Sequence, residues 1–195
     1  MSVMSIAEAW PPAGRPFTVA ELDRMPDDGR RYELLDGMLA VSPRPTPVHQ
    51  IVSLRLASML EVSCPGGLQV IPEPAVQLSD DTEFDPDIVV SRDSDIWAAK
   101  ISVPPVLVVE IRSPSTALID LNRKKMAYER FGVASYWIVD PDLPSPALSA
   151  YELQDGGRYE QVAHVRGSQP LRARRPFPVE VVPAQLVAAL PRPAS

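Results

Sequence analysis

The chain has 195 residues, a formal net charge of −6 and 45% apolar content. These values fit a folded globular domain and exclude both a disordered tail and a general nucleic-acid coat protein. Its one cysteine, Cys64, excludes an internal disulfide and a cysteine-rich metal site and suits a reducing cytoplasm.

In chain order, residues 1–16 are proline-rich and are expected to be loose. The opening MSVMSIAEAW lacks the basic start and apolar stretch of a signal peptide. No apolar run nears the ~20 residues that span a bilayer, so a cytoplasmic location with no membrane partner is expected. FTVAELDRMPDDGRR predicts a short helix with Thr18 as cap and Glu21 three later, the spacing of a capping box. RYELLDGMLAVSP predicts two strands around an Asp36-Gly37 turn. VHQIVSLRLASMLEVS has apolar residues at 48, 51, 52, 56, 59 and 60, helical spacing that Pro65-Gly66-Gly67 ends.

Three strand candidates follow: LQVIPEPAVQL, EFDPDIVVS and PPVLVVEIRS, the last the most apolar and expected to be central. STALIDLNRKKMAYERFG predicts a helix starting after Pro114 and stopping at Gly132, and ASYWIVDP another strand. ALSAYELQDGGRYEQVAHV and PFPVEVV read as β hairpins, the first turning at Gly156-Gly157, and PAQLVAAL as a last short helix. The whole is one α/β domain over residues 1–195. Its core, about 31–141, runs helix, three strands, helix, strand. An N-terminal hairpin and a β-rich C-terminal appendage at 146–190 flank that core.

Charge is uneven along this order. Residues 1–110 hold 17 acids and 8 bases, residues 111–195 hold 8 acids and 11 bases. Most of these side chains are expected to be solvated surface.

Glu110 breaks that expectation, because it stands inside the apolar run VLVVEIRS, where an unpaired charge is costly to bury. By strand alternation Val106, Val108, Glu110 and Arg112 share one face, and Glu110 lies near the C-terminal end, where α/β sheets present their sites. Asp87 precedes the apolar strand of DPDIVV. If the two strands pair antiparallel, Asp87 and Glu110 are neighbours. Two carboxylates so placed repel, and either one is protonated or a cation sits between them. A divalent ion with oxygen ligands, such as Mg²⁺, would resolve the conflict. On the following helix Ala117, Leu121, Lys124, Tyr128 and Phe131 form one stripe. A lysine on that packing face either snorkels past the core edge or serves a site, and Asp120, one turn earlier, can pair with it.

Taken in order, Asp87 in PDIVV, Glu110 in VVEIRSPST, Asp120, Lys124, Tyr128 and then GVASYWIVDP resemble the bacterial "putative restriction endonuclease" family of the PD-(D/E)XK nuclease superfamily. The resemblance runs from about Arg31 to Pro141 and includes YELLDG and the Pro45–His49 segment. It implies a restriction endonuclease-like core with a mixed sheet. It also implies a metal-dependent cut of a phosphodiester in nucleic acid, expected to be DNA, with Mg²⁺ as cofactor and Mn²⁺ as a substitute. Asp87 and Glu110 would ligate the ion, with the Ile111 carbonyl as a third ligand. Lys124 would orient water or neutralise charge on the phosphoryl group. Glu33 would line the pocket, Tyr128 would hydrogen-bond nearby, and Asp120 would steady Lys124. By analogy with folds of this type, a homodimer is expected.

Arg112 departs from the family pattern, which is apolar two places after the glutamate. It cannot act as a general base. It can bind phosphate, or it can bridge to Glu110 and leave an inactive nucleic-acid or protein-binding module on the same fold. Of the remaining candidates, His49 can face the site but is expected at the surface or in packing, and Asp85 can be a second metal ligand but is expected in solvent. Trp137 is expected in the core rather than as a base-stacking platform, and Arg172–Arg175, which can track a nucleic-acid backbone, are expected in an exposed loop. Ser113 and Ser115 lack a G-x-S-x-G elbow, and no glycine-rich phosphate loop is present.

Overall fold

A computed structural model describes residues 15–112 and 118–191, the side chains of 118–120 excepted. Helix α1 is one turn, Val19–Leu22, and the Glu21 carboxylate accepts the Thr18 N–H at 2.9 Å, as the capping spacing predicts. Strands β1 (Arg31–Leu35) and β2 (Met38–Ser42) pair antiparallel. The turn between them places Asp36 at φ 47° and Gly37 at φ 73°, as a two-residue hairpin requires. A side chain at Gly37 would collide with Pro16.

Helix α2 spans Pro47–Ser63, with proline in its first turn and the Thr46 hydroxyl accepting the His49 N–H. The helix buries His49, Val52, Ser53, Leu56 and Leu60 and leaves Ile51 and Leu54 exposed.

Where the sequence reading expects two strands before the Glu110 strand, the chain forms four: β3 (Leu68–Pro72), β4 (Val76–Ser79), β5 (Thr82–Phe84) and β6 (Ile88–Arg92). β3 pairs with β6, and β4 pairs with β5. They are one bent ribbon shared between two sheets. The bend falls at Pro72-Glu73-Pro74 on one side, with Glu73 at φ 50°, and at Asp85-Pro86-Asp87 on the other. Proline cannot donate to a ladder, so the prolines are where the chain can leave one sheet for the next.

β7 (Leu107–Ile111), α3 (Leu118–Phe131) and β8 (Ser135–Asp140) make a strand–helix–parallel-strand unit. α3 ends at Phe131, followed by Gly132 at φ 94°; its predicted start after Pro114 lies outside the described residues. β9 (Ala147–Leu153) and β10 (Tyr159–Arg166) form the expected C-terminal hairpin, which is continuous with the central sheet. β11 (Leu171–Ala173) and β12 (Val179–Val181) pair separately, and α4 is Pro183–Leu186.

The six-stranded sheet has the order β10-β9-β8-β7-β6-β3, and the four-stranded sheet has the order β2-β1-β5-β4. β7 is interior, and all five of its residues are buried. On one face Leu107, Val109 and Ile111 pack with Val52, Leu56 and Leu60 of α2 and with Leu186 of α4. On the other, Val108 packs with Tyr128 of α3, Tyr136, and Val76 and Phe84 from the smaller sheet. Among the described residues no helix is long and apolar enough to cross a membrane.

Candidate active site

β6 and β7 pair antiparallel with Ile88 opposite Val109. One step further along that register sets Asp87 opposite Glu110. Asp87 Oδ2 accepts the Ile111 backbone N–H at 2.6 Å, which locks the carboxylate against the end of β7. Glu110 leaves β7 on the α3 face, where Oε1 accepts from Tyr128 Oη at 3.0 Å and from Lys124 Nζ at 3.2 Å. Lys124 also donates to Glu33 Oε1 of β1 at 2.7 Å, and its ammonium lies 5.2 Å from the Phe84 ring centroid. Glu33, Asp87, Glu110 and Lys124 are all buried. The lysine therefore does not snorkel to solvent. Hydrogen bonds join Glu33, Lys124, Glu110 and Tyr128, and Asp87 with Ile111 adjoins them through the β6–β7 register; the side chain of Asp120 lies outside the described residues.

Electrostatics follow from that crowding. Burial pushes the Glu110 carboxyl up to about 7; Lys124 pulls it down, while Asp87 and Glu33 push it further up. Burial opposes the charge on Lys124, but Glu110 and Glu33 outweigh it and raise the ammonium above its usual range. Asp87 also meets a desolvation cost, yet His49 and the Ile111 N–H hold it below its ordinary value.

Two residues for which another place is preferred from the sequence join the site. Of the places open to His49, the structure gives the one facing the site rather than the surface: its relative exposure is 5%. Its Nε2 lies 3.1 Å from the Ile111 carbonyl oxygen and 3.2 Å from Asp87 Oδ2. Both partners are acceptors, so this nitrogen carries the proton, while Nδ1 has no partner among the described residues. Asp85 is partly buried rather than solvated, and its N–H donates to Glu33 Oε1 at 3.0 Å. Burial and the neighbouring Glu33 push its carboxyl up to about 6. A usable signal for His49 exists in the sequence: the stripe Leu60, Leu56, Val52, followed back one turn, lands on residue 49. Asp85 has none, since its segment is dense in acids.

Arg112 does not bridge to Glu110. Its guanidinium pairs with Asp140 Oδ2 at 2.6 Å, half exposed, and it lines a cleft of about 530 Å³ with Thr46, His49 and Asp142. Glu110 is paired inside by Lys124 instead. Arg31 of β1 does reach the site: its Nη1 stands 3.5 Å from Asp87 Oδ1. That oxygen is buried and has no hydrogen bond among the described residues. Trp137 is in the core as expected, 1% exposed. Arg172 pairs with Glu180 at the surface. His164, exposed on β10, bonds to Ser149 and Arg166 away from the site.

No group of three His, Cys, Asp or Glu side chains among the described residues forms a metal-binding arrangement. The expected ligands are two carboxylates and a carbonyl. These are all oxygen donors, as a hard cation needs, and Asp87 Oδ1 is buried with no hydrogen bond among the described residues, the Arg31 guanidinium standing 3.5 Å away. The residues fit such an ion.

The chain matches the family described as "Uma2: Putative restriction endonuclease" over residues 19–188. Among solved structures it is similar to one titled "a putative nuclease belonging to DUF820" from Anabaena variabilis ATCC 29413. The TM-score is 0.69 at 19% identity, covering 88% of this chain and 98% of that one; the likeness supports the restriction endonuclease-like fold. No curated protein matches the chain. The match covers most of the length and runs through every residue of the buried cluster: the chain belongs to the Uma2 family of restriction endonuclease-like proteins.

Proposed function

We propose that this protein is a nuclease that hydrolyses phosphodiester bonds in DNA with the help of Mg²⁺, for which Mn²⁺ can substitute. One observation carries the reading: two buried carboxylates, Asp87 and Glu110, are neighbours across the β6–β7 register, and the buried helix-borne ammonium of Lys124 is bonded to Glu110. A stable core has no use for that arrangement, because buried ionic clusters are weak contributors to stability.

In this reading Asp87, Glu110 and the Ile111 carbonyl would hold the ion, which would supply Lewis-acid chemistry to the scissile phosphate and to an attacking water. Lys124 supplies a fixed positive charge where negative charge builds up on the phosphoryl oxygens. Glu33 holds the ammonium in place through its 2.7 Å contact. Tyr128 keeps the Glu110 carboxylate oriented through Oε1. By analogy with folds of this type, a homodimer would bring one such site to each strand of a duplex.

The test is nicking of supercoiled plasmid. Cleavage is expected with Mg²⁺ or Mn²⁺ and none with EDTA, and Asp87→Ala, Glu110→Ala and Lys124→Ala should each abolish it. Cleavage that survives all three substitutions comes from another protein, and the reading fails.

A further inference from the structure

Beside Asp87 lies a second cleft, of about 350 Å³, lined by Arg30, Arg31, Arg44, Gln50, Glu73 and Asp85. Residues 1–110 contain only eight bases among 17 acids, yet three of the eight line this one cleft. Arg31 links it to the candidate site: Nη1 faces Asp87 Oδ1 at 3.5 Å, and Nη2 donates to Glu73 Oε1 at 3.0 Å. Gln50 Nε2 donates to the same Glu73 oxygen at 3.1 Å. Arg44 lies flat against the chain, with Nε donating to the Gly29 carbonyl at 3.0 Å. Gly29 has φ 83°, and a Cβ there would stand 3.2 Å from Arg44 Nε. The glycine therefore lets this guanidinium lie where it does.

The exposed Glu73 carboxylate thus occupies a seat built of an arginine and an amide, with two more arginines at the rim. A carboxylate held this way stands where a phosphate oxygen would fit, since guanidinium groups bind both in the same geometry. We propose that this cleft is the docking site for a backbone phosphate of the nucleic-acid strand that passes over Asp87, and that the phosphate displaces Glu73 from Arg31 and Gln50. This rests on the nuclease reading for the identity of the strand, but it concerns binding, which can be read without cleavage. Arg30 and Arg44 attract the strand, and Arg31 sets the distance between the bound phosphate and Asp87.

The experiment is fluorescence anisotropy of a fluorescein-labelled DNA duplex over a range of salt, in EDTA and with Ca²⁺ in place of Mg²⁺. It compares wild type, Arg30→Ala/Arg44→Ala, Glu73→Gln and, on the far loop, Arg174→Ala. All four substituted side chains are exposed, and thermal melts check that each variant is folded. The double variant should bind about tenfold or more weakly, with a log–log salt slope shallower by up to about 2, since each lost phosphate contact removes about 0.9. Glu73→Gln should bind several-fold more tightly, and Arg174→Ala like wild type. The proposal is overturned if the double variant keeps the wild-type affinity and slope, if Glu73→Gln brings no gain, or if the wild type binds in neither buffer. Should the variants behave as expected while the wild type cuts no plasmid with Mg²⁺ or Mn²⁺, the docking site stands and the nuclease reading falls.

Discussion

Lys124 and Glu33, 91 positions apart in the chain, meet at 2.7 Å inside the protein. The contact ties the helix that follows the Glu110 strand to the first strand of the N-terminal hairpin. It makes Lys124 the cation of a buried cluster rather than a surface residue, and its removal leaves Glu33 and Glu110 without it. Breaking a buried pair costs roughly 3–5 kcal/mol. Lys124→Met is therefore expected to lower unfolding free energy by about that much in urea titrations. Lys124→Met combined with Glu33→Gln should lose clearly less than the sum of the two single changes.

pH should act on the metal-free protein in one direction. An acid whose folded pKa is raised binds more protons when folded, so stability falls as it ionises. Glu110 moves from 4.5 to about 7 and Asp85 from 3.8 to about 6. Their destabilising effect is absent well below pH 3.8, begins with Asp85, grows through both windows and is complete above about pH 7. His49 adds to it: burial opposes its charge, but Asp87 raises its pKa above 6.5, so its stabilising charge is lost as pH rises through the raised value. Melting temperature in EDTA is expected to fall between pH 5 and pH 8, and Glu110→Gln should flatten part of that fall. A melting temperature that rises over this interval would contradict the cause assigned to Glu110.

His49 Nε2 sits against Asp87 Oδ2 and the Ile111 carbonyl oxygen, an oxygen of each of two groups expected to hold an ion. Removing the ring leaves both short of a donor in a buried place, which costs about 1–3 kcal/mol. His49→Ala is thus expected to melt lower than wild type in EDTA. With the competing N–H gone, its rise in melting temperature on adding Mn²⁺ should exceed that of wild type. A smaller rise would mean that the imidazole assists ion binding.

Arg112 pairs with Asp140 at the surface, and exposed pairs contribute little, about 0–1 kcal/mol. Arg112→Ala should therefore change stability by less than about 1 kcal/mol and leave divalent-dependent plasmid nicking in place. Loss of the fold on this substitution would mean that Arg112 holds Glu110 after all.

Much of the site could be read from the chain, for identifiable reasons. Glu110 interrupts an apolar strand and Lys124 interrupts an apolar helix stripe; both are local violations of a periodic pattern. Asp87 follows from antiparallel pairing through the intervening loop. His49 is legible as a candidate but not as a member, because the apolar spacing also includes 48 and 51, and Ile51 is exposed. Asp85 and Arg31 were hidden because their placement depends on how two sheets meet, which no one-dimensional period encodes. The same holds for the four strands read as two: proline breaks were visible at 72, 74 and 86, but a break does not say which sheet receives the continuation. Arg112 was legible as unusual, while its partner Asp140 lies on a parallel strand reached only through α3.

The ribbon that bends at Pro72–Pro74 and Asp85–Pro86 belongs to both sheets at once. Glu33 rides on the smaller sheet and Glu110 on the larger, so the gap between these acids is fixed by the ribbon's curvature. Straightening either corner would swing one sheet like a page about its spine and pull Lys124 in two directions. The dihedral angle between the sheets is thus a coordinate on which the spacing of the charged groups depends, and residues far from the chemistry can tune it.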